Sequence, residues 1–213
     1  MALNRAGRTI CNTGQKESNS IMKLLSRAVV FATCFSLASS IAIAQARVHA
    51  LSGTVTTIHP RIQMTELDTD DGSSGHFQWL KKSDGDIYFD KSVNADATTA
   101  DKFTTTQTHV IAYYIGGGEV VRTLVALRDL GTGPLVKSTG TVVKLDKHEH
   151  LLTIKNSTGG EESYHLDPKT VADAENGVAT NFKFDLSKGD KVRVLATQSN
   201  GSSTALLITP ANL

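Results

Sequence analysis

Two stretches of this chain open alike and then pass through the same series of features. One is SGTVTTIHPRIQMTEL from Ser52, and the other is TGTVVKLDKHEHLLTI from Thr139. Gly53-Thr54-Val55 matches Gly140-Thr141-Val142, and Ile58 matches Leu145. Further on, GHFQW from Gly75 lies opposite ESYHL from Glu162, so Phe77 and Trp79 match Tyr164 and Leu166. Near the ends, THVIAYYIGGGEVVRTLVAL from Thr108 corresponds to DKVRVLATQSNGSSTALLIT from Asp190. Each holds an alternating segment, a glycine-bearing turn and a second apolar segment. Apolar residues at every second position predict half-buried strands. A duplication is the simplest account of two such series, each of domain length.

The second series sets the strand count. Gly140 to Leu145 is a first strand, LLTIK from Leu151 a second, and ESYHL a third. NSTGGE between the last two carries residues that suit tight turns. DPKTVADAENGVATNFKFD is irregular and is expected to hold a short helical turn near Ala172 to Glu175. KVRVLAT and TALLIT form a hairpin across Asn200-Gly201, a dipeptide suited to positive φ. Five strands with one irregular crossing suit a small closed barrel better than a seven-stranded sandwich. In LSKGDKVRVL, Gly189 permits the turn and Asp190 is expected to accept from nearby backbone amides. Val192 and Val194 are expected inside, with Lys191 and Arg193 facing water.

The pattern of an opening Gly-Thr-Val, a late Leu-x-Lys-Gly-Asp-x-Val-x-Val from Leu186 to Val194 and a closing hairpin resembles a large family of secreted bacterial domains of the OB-barrel type. The resemblance covers nearly all of the second series and, more loosely, the first. The first has Gln107-Thr108 where the second has Gly189-Asp190, and carries an additional hairpin, KKSDGDIYFDKS. The expected fold is all-β: two tandem five- to six-stranded OB-like barrels after an N-terminal signal peptide. Residues 1–46 form the extension and signal, 47–131 the first barrel, 132–138 a linker marked by Pro134, and 139–213 the second barrel.

The signal is read from Met22. Lys23 and Arg27 precede an uncharged apolar run, Ala28 to Ala44, of about 17 residues, and small residues at Ala42, Ala44 and Ala46 suit cleavage after Ala44 or Ala46. The run is short for a membrane span, which needs roughly 20 residues. Met22 is the expected true start. Both cysteines, Cys11 and Cys34, precede the cut, so the mature chain has no disulfide, cysteine nucleophile or thiolate metal site. Cleavage also changes the charge. The whole chain is formally +1, whereas the part from Arg47 carries 17 basic against 20 acidic residues, or −3. The charges are interspersed, without the basic stripe that nucleic-acid binding requires. A periplasmic or secreted location is expected, with no transmembrane anchor.

Candidate chemistry is sparse. His148 and His150 are alternate residues that share a face if extended, a pair able to offer two imidazoles to one divalent cation. The sequence is also similar to that of periplasmic copper chaperones built on the OB barrel, which hold copper with a His, two Met and a stacked Trp. That resemblance implies metal contacts from Met64, His76 and Trp79, although Leu80-Lys81-Lys82-Ser83-Asp84 replaces the family's Trp-x-x-Met-x-Met run. Phe77, Trp79, Tyr88, Phe89, Tyr113 and Tyr114 cluster in the first series, and Phe77, Trp79 and Tyr114 are candidates for an aromatic ligand-binding face. Asp68, just before TDDGSSG, and Asp70 and Asp71 within it lack the closing Glu of a calcium loop and read as a solvated hairpin tip, as do Asp84 and Asp86. Gly-x-Ser-x-Gly, His-Glu-x-x-His and phosphate-loop motifs are absent. The sequence is therefore read as a non-enzymatic binding or scaffold protein of the cell envelope, without a cofactor, acting on a partner protein or glycan. The alternative is a periplasmic metal-binding or metal-handling protein. The short linker is expected to bring the barrels close enough to share a cleft.

Overall fold

The computed structural model describes residues 47–81, 96–116, 122–184 and 186–211. The signal segment, Tyr88, Phe89, Asp84, Asp86 and most of the additional hairpin of the first series lie outside the described residues. No helix among the described residues is long and apolar enough to cross a membrane.

The first sheet starts with β1 (Val48–His59), which pairs antiparallel with β2 (Met64–Thr69), and β2 with β3 (His76–Trp79). After β4 (Thr98–Thr99), β5 (His109–Ile115) pairs with the other side of β1, and β6 (Arg122–Gly131) pairs with β5. β3 then runs parallel beside β6 and closes the sheet. The second sheet repeats this order. β7 (Leu135–Asp146), β8 (Leu151–Asn156) and β9 (Glu161–His165) form a meander. After β10 (Val171–Ala174) and β11 (Gly177–Ala179), β12 (Lys191–Ser199) pairs with β7, and β13 (Ser202–Pro210) with β12. A parallel contact between β9 and β13 closes it. These are two OB-like barrels in one all-β chain.

The matching Gly-Thr-Val starts have one physical cause. A Cβ on Gly53 would stand 2.5 Å from the Asp68 carbonyl oxygen, and one on Gly140 would stand 2.6 Å from that of Lys155. The long first strands bend here against their neighbours, and only glycine leaves room. Register shifts follow at the same place in each, Val55/Thr57 and Val142/Lys144. The late turn forms as expected: Gly189 has φ 100°, and the Ser187 amide donates to the Asp190 carboxylate at 2.7 Å. Asn200 and Gly201, at φ 51° and 78°, make the β12–β13 turn.

One expectation needs correction. The predicted helical turn at 172–175 is instead strand β10, because Val171 and Ala172 pair parallel with Leu207 and Ile208 of β13 and their side chains are buried. Strand β7 starts at Leu135, within the segment read as a linker, because Leu135–Ser138 continue the ladder with β12.

Alternation sorts the apolar residues into three cores. Leu51, Val55, Leu67, Phe77, Trp79, Leu124 and Leu127 fill the first barrel. Val142, Leu152, Ile154, Tyr164, Val192 and Val194 fill the second. The third lies between the barrels, where Val48, Ala50, Ile111, Tyr113 and Ala126 meet Val171, Leu195 and Leu207. It is apolar because the outer faces of β1, β5 and β12 carry aliphatic residues where a solvated barrel would carry polar ones. Burial at this seam pushes the Tyr113 phenol up to about 12. Polar contacts rim the seam: Arg47 donates to the Glu175 carbonyl at 2.9 Å, and Arg128 to that of Lys169 at 2.8 Å. Residues Gln45–Leu213 form a single compact unit.

Candidate functional site: a charged cleft between the barrels

Beside the apolar seam the barrels part to leave a cleft of about 630 Å³. One wall comes from β1, the β2–β3 loop, β5 and β6, and the other from β7, β10, β12 and β13. That volume lies within the usual range for small-molecule sites, roughly 300–1,000 Å³.

Asp70 organises the first wall. Its Oδ2 accepts from the Ser52 hydroxyl at 2.6 Å and from His109 Nε2 at 2.8 Å, and its Oδ1 accepts from Lys137 Nζ at 2.6 Å. Burial pushes this carboxyl up, but the hydrogen bonds from His109, Lys137 and Ser52 outweigh it and bring the pKa down to about 2. Lys137 belongs to the second barrel, so this hub also ties the barrels together. A carboxylate cannot donate, so His109 Nε2 carries the hydrogen, and the other ring nitrogen, Nδ1, lies 3.2 Å from Thr54 Oγ1. Hydroxyl, imidazole and carboxylate thus stand in line, as in a hydrolase triad. The cleft, however, is lined by Ser52 and Asp70 rather than Thr54 and His109. The Ser52 hydroxyl donates its hydrogen bond to the Asp70 carboxylate, not to an imidazole.

Asp173 is the counterpart from the second wall. It reaches from β10 to β1, where its Oδ1 lies 3.0 Å from His49 Nδ1 and its Oδ2 accepts from the Ala50 amide at 3.2 Å. The hydrogen bond to Asp173 raises the His49 pKa above its ordinary value, against the opposing effect of burial. Arg122, the first residue of β6, lines the cleft beside the β2–β3 loop. Its guanidinium lies 4.9 Å from the Tyr114 ring centroid and donates to Ser73 Oγ at 2.9 Å. Asp71 caps the same loop by accepting from the Ser73 amide at 2.9 Å.

The residues singled out from sequence scatter. Phe77 and Trp79 are 0% and 8% exposed and belong to the barrel core; the outward positions of β3 are His76 and Gln78. The Trp79 indole donates to the buried Thr65 hydroxyl at 2.8 Å. They therefore offer no surface to a ligand, while Tyr114 does line the cleft. Met64 and His76 sit on the outer face of the sheet, on the opposite side from Trp79, so the three do not converge. His76 Nδ1 instead faces Glu66 Oε1 at 3.5 Å, and His59 Nε2 approaches the same oxygen at 3.9 Å. His148 and His150 lie in the β7–β8 turn, not on a strand. The His148 amide donates to Asp146, and His150, at φ 52°, stacks on Phe182 with centroids 3.9 Å apart. The turn breaks the alternation that would have put both imidazoles on one face. Among the described residues no group of three or more His, Cys, Asp or Glu is arranged to hold a metal ion.

The sequence reading missed Asp70, His109, Lys137, Arg122, Asp173 and Arg193 as site residues. From sequence, Asp70 reads as part of a solvated hairpin tip. The partners that make it a hub lie 18, 39 and 67 residues away in sequence.

No protein-family model matches the chain, and no curated protein matches it. Among solved structures, the chain is similar to silver(I)-bound CusF, at 17% identity over 37% of this chain and 100% of that chain, with a TM-score of 0.30. It is likewise similar to apo-CusF residues 6–88 from Escherichia coli, at 17% identity over 37% of this chain and 89% of that chain, with a TM-score of 0.29. A likeness this weak leaves the reading of the site to the chain's own residues.

Proposed function

We propose that the protein is an exported, non-catalytic binding protein of the cell envelope, and that its ligand occupies the cleft between the two barrels. One observation carries this reading: the polar side chains of the cleft are held in place by contacts that span both barrels, beside an apolar seam that fixes the walls. Asp70 is pinned by Ser52, His109 and Lys137, and Asp173 by its contacts with His49 and Ala50. A site prepared in this way spends little of its binding energy on ordering side chains.

The test is a thermal-shift screen of the full chain against oligosaccharides, amino acids, short peptides, single-stranded oligonucleotides, calcium, zinc and copper(I). A ligand at a hundred times its dissociation constant adds about 2.7 kcal/mol. At roughly 2–4 °C per kcal/mol that is a shift of about 5–11 °C. The expected hit is an organic ligand whose shift disappears in a Tyr114→Ala/Asp71→Asn variant. An organic hit indifferent to that variant would place binding elsewhere. A shift with a metal alone, lost in His59→Ala/His76→Ala, would replace the cleft with the outer face around Glu66 and favour metal handling.

A further inference from the structure

Strand β12 contributes one unusual residue to the cleft. Val192 and Val194 point into the second barrel's core, so Arg193 between them points outward. That outer face continues into the seam at Leu195, whereas Arg193 opens on the cleft. The other two cations of the lining are already engaged: Lys137 with Asp70, and Arg122 with Ser73, the Ser74 carbonyl and the Tyr114 ring. Arg193 has no hydrogen-bond or ion-pair partner among the described residues. It is flanked across the ladder by Thr139 of β7 and Thr209 of β13, its register partners on the two neighbouring strands. Directly paired residues share a face, so one guanidinium and two hydroxyls stand in a row on three adjacent strands. Both threonines line the cleft, and neither hydroxyl has a partner among the described residues.

We infer that Arg193, Thr139 and Thr209 form an oxyanion receptor, and that the ligand of the cleft is a carboxylated sugar. This rests on the cleft reading and adds the ligand's chemistry. The guanidinium fork matches the two oxygens of a carboxylate, and the threonine hydroxyls donate to the same group or to a neighbouring ring oxygen. The carboxylates of the two walls decide how much charge the ligand bears. Asp70, Asp71, Asp173 and Glu175 line the same cleft, against Arg122, Lys137 and Arg193. A dianionic phosphate would meet them unfavourably, while a single carboxylate answers the one spare cation. The same carboxylates, with the Tyr114 hydroxyl, suit a ligand rich in hydroxyl groups, because a carboxylate accepts what a sugar hydroxyl donates.

The experiment is isothermal titration of the full chain with trigalacturonate, neutral maltotriose and inorganic phosphate. It is repeated on Arg193→Gln, Arg193→Lys and Thr139→Val/Thr209→Val, each first shown to melt like the parent. Trigalacturonate is expected to bind and maltotriose not. Loss of a hydrogen bond to a charged group is worth about tenfold or more in affinity, so Arg193→Gln should weaken binding at least that much. Arg193→Lys, which keeps the charge and loses the fork, should fall between. Equal binding of maltotriose, undisturbed by Arg193→Gln but abolished by Tyr114→Ala, would overturn the receptor and leave the cleft reading standing. Phosphate binding more tightly than trigalacturonate, and dependent on Arg193, would keep the receptor and overturn the sugar. Failure of all three probes to titrate overturns the inference, and the broader screen above then decides the cleft by itself.

Discussion

Replacing Asp70 with Asn removes one charge and hardly changes shape, so it isolates what the hub contributes. The hydrogen bonds of the hub hold the folded carboxyl down at about 2, against an ordinary value of 3.8. At 1.36 kcal/mol per pKa unit, that difference corresponds to about 2 kcal/mol at neutral pH. The side chain is 15% exposed, so solvent screens this only partly. Asn also turns a donor toward His109 Nε2 or Lys137 Nζ, which adds to the cost. The sign is that of a depressed acid. Its contribution is complete above the unfolded pKa and is lost as pH falls through the folded one. Thermal unfolding followed by far-UV circular dichroism should show Asp70→Asn melting about 4–8 °C below the parent at pH 7. The gap should close steadily between pH 4 and pH 2, as the parent's Asp70 takes up its own proton. A gap that stays constant from pH 7 to pH 2 would refute the reasoning, because a packing defect does not titrate. No gap at pH 7 would mean that the three contacts only repay desolvation.

Three further outcomes follow from the same structure. His49 has a raised pKa, so its link to Asp173 stabilises fully below the ordinary histidine value and fades as pH rises through the folded one; melting between pH 5.5 and pH 8.5 should show a decline that His49→Gln flattens. Gly140→Ala, whose Cβ would meet the Lys155 carbonyl at 2.6 Å, should cost about 1–3 kcal/mol in chemical denaturation, whereas Gly201→Ala, with nothing within 4 Å, should cost only the strain of its positive φ. Trp79→Phe keeps most of the ring but strands the buried Thr65 hydroxyl, so it should cost about 1–3 kcal/mol, and the double variant with Thr65→Val should recover part of that.

The barrels were legible because their instructions are local. Alternation in Val192-x-Val194 and Phe77-x-Trp79, a glycine where a strand bends, and Asn-Gly where a hairpin turns each act over a few residues, and each reappears in the structure. Where structure and sequence differ, a short-range pattern meets a partner or a turn that it does not encode. The Ala172–Glu175 segment reads as a helical turn until β13 offers its first residues a parallel partner. His148 and His150 share a face only if the chain is extended, and there it turns. Phe77 and Trp79 alternate with His76 and Gln78, but alternation does not say which side faces inward.

The site was illegible for a different reason. Arg193 reads as a solvated residue because one strand cannot reveal that a second barrel stands opposite its outer face. Asp70 reads as a loop acid because His109 and Lys137 reach it only after two separate barrels have closed and docked. The sequence by itself determined two small β-barrels and a short connection between them, since strand period and turn chemistry are short-range properties. Only the tertiary structure decided that the barrels share an apolar seam, and which charges meet beside it. Burial and pairing of charge depend on what packs across a gap, and that is settled between surfaces distant in the chain.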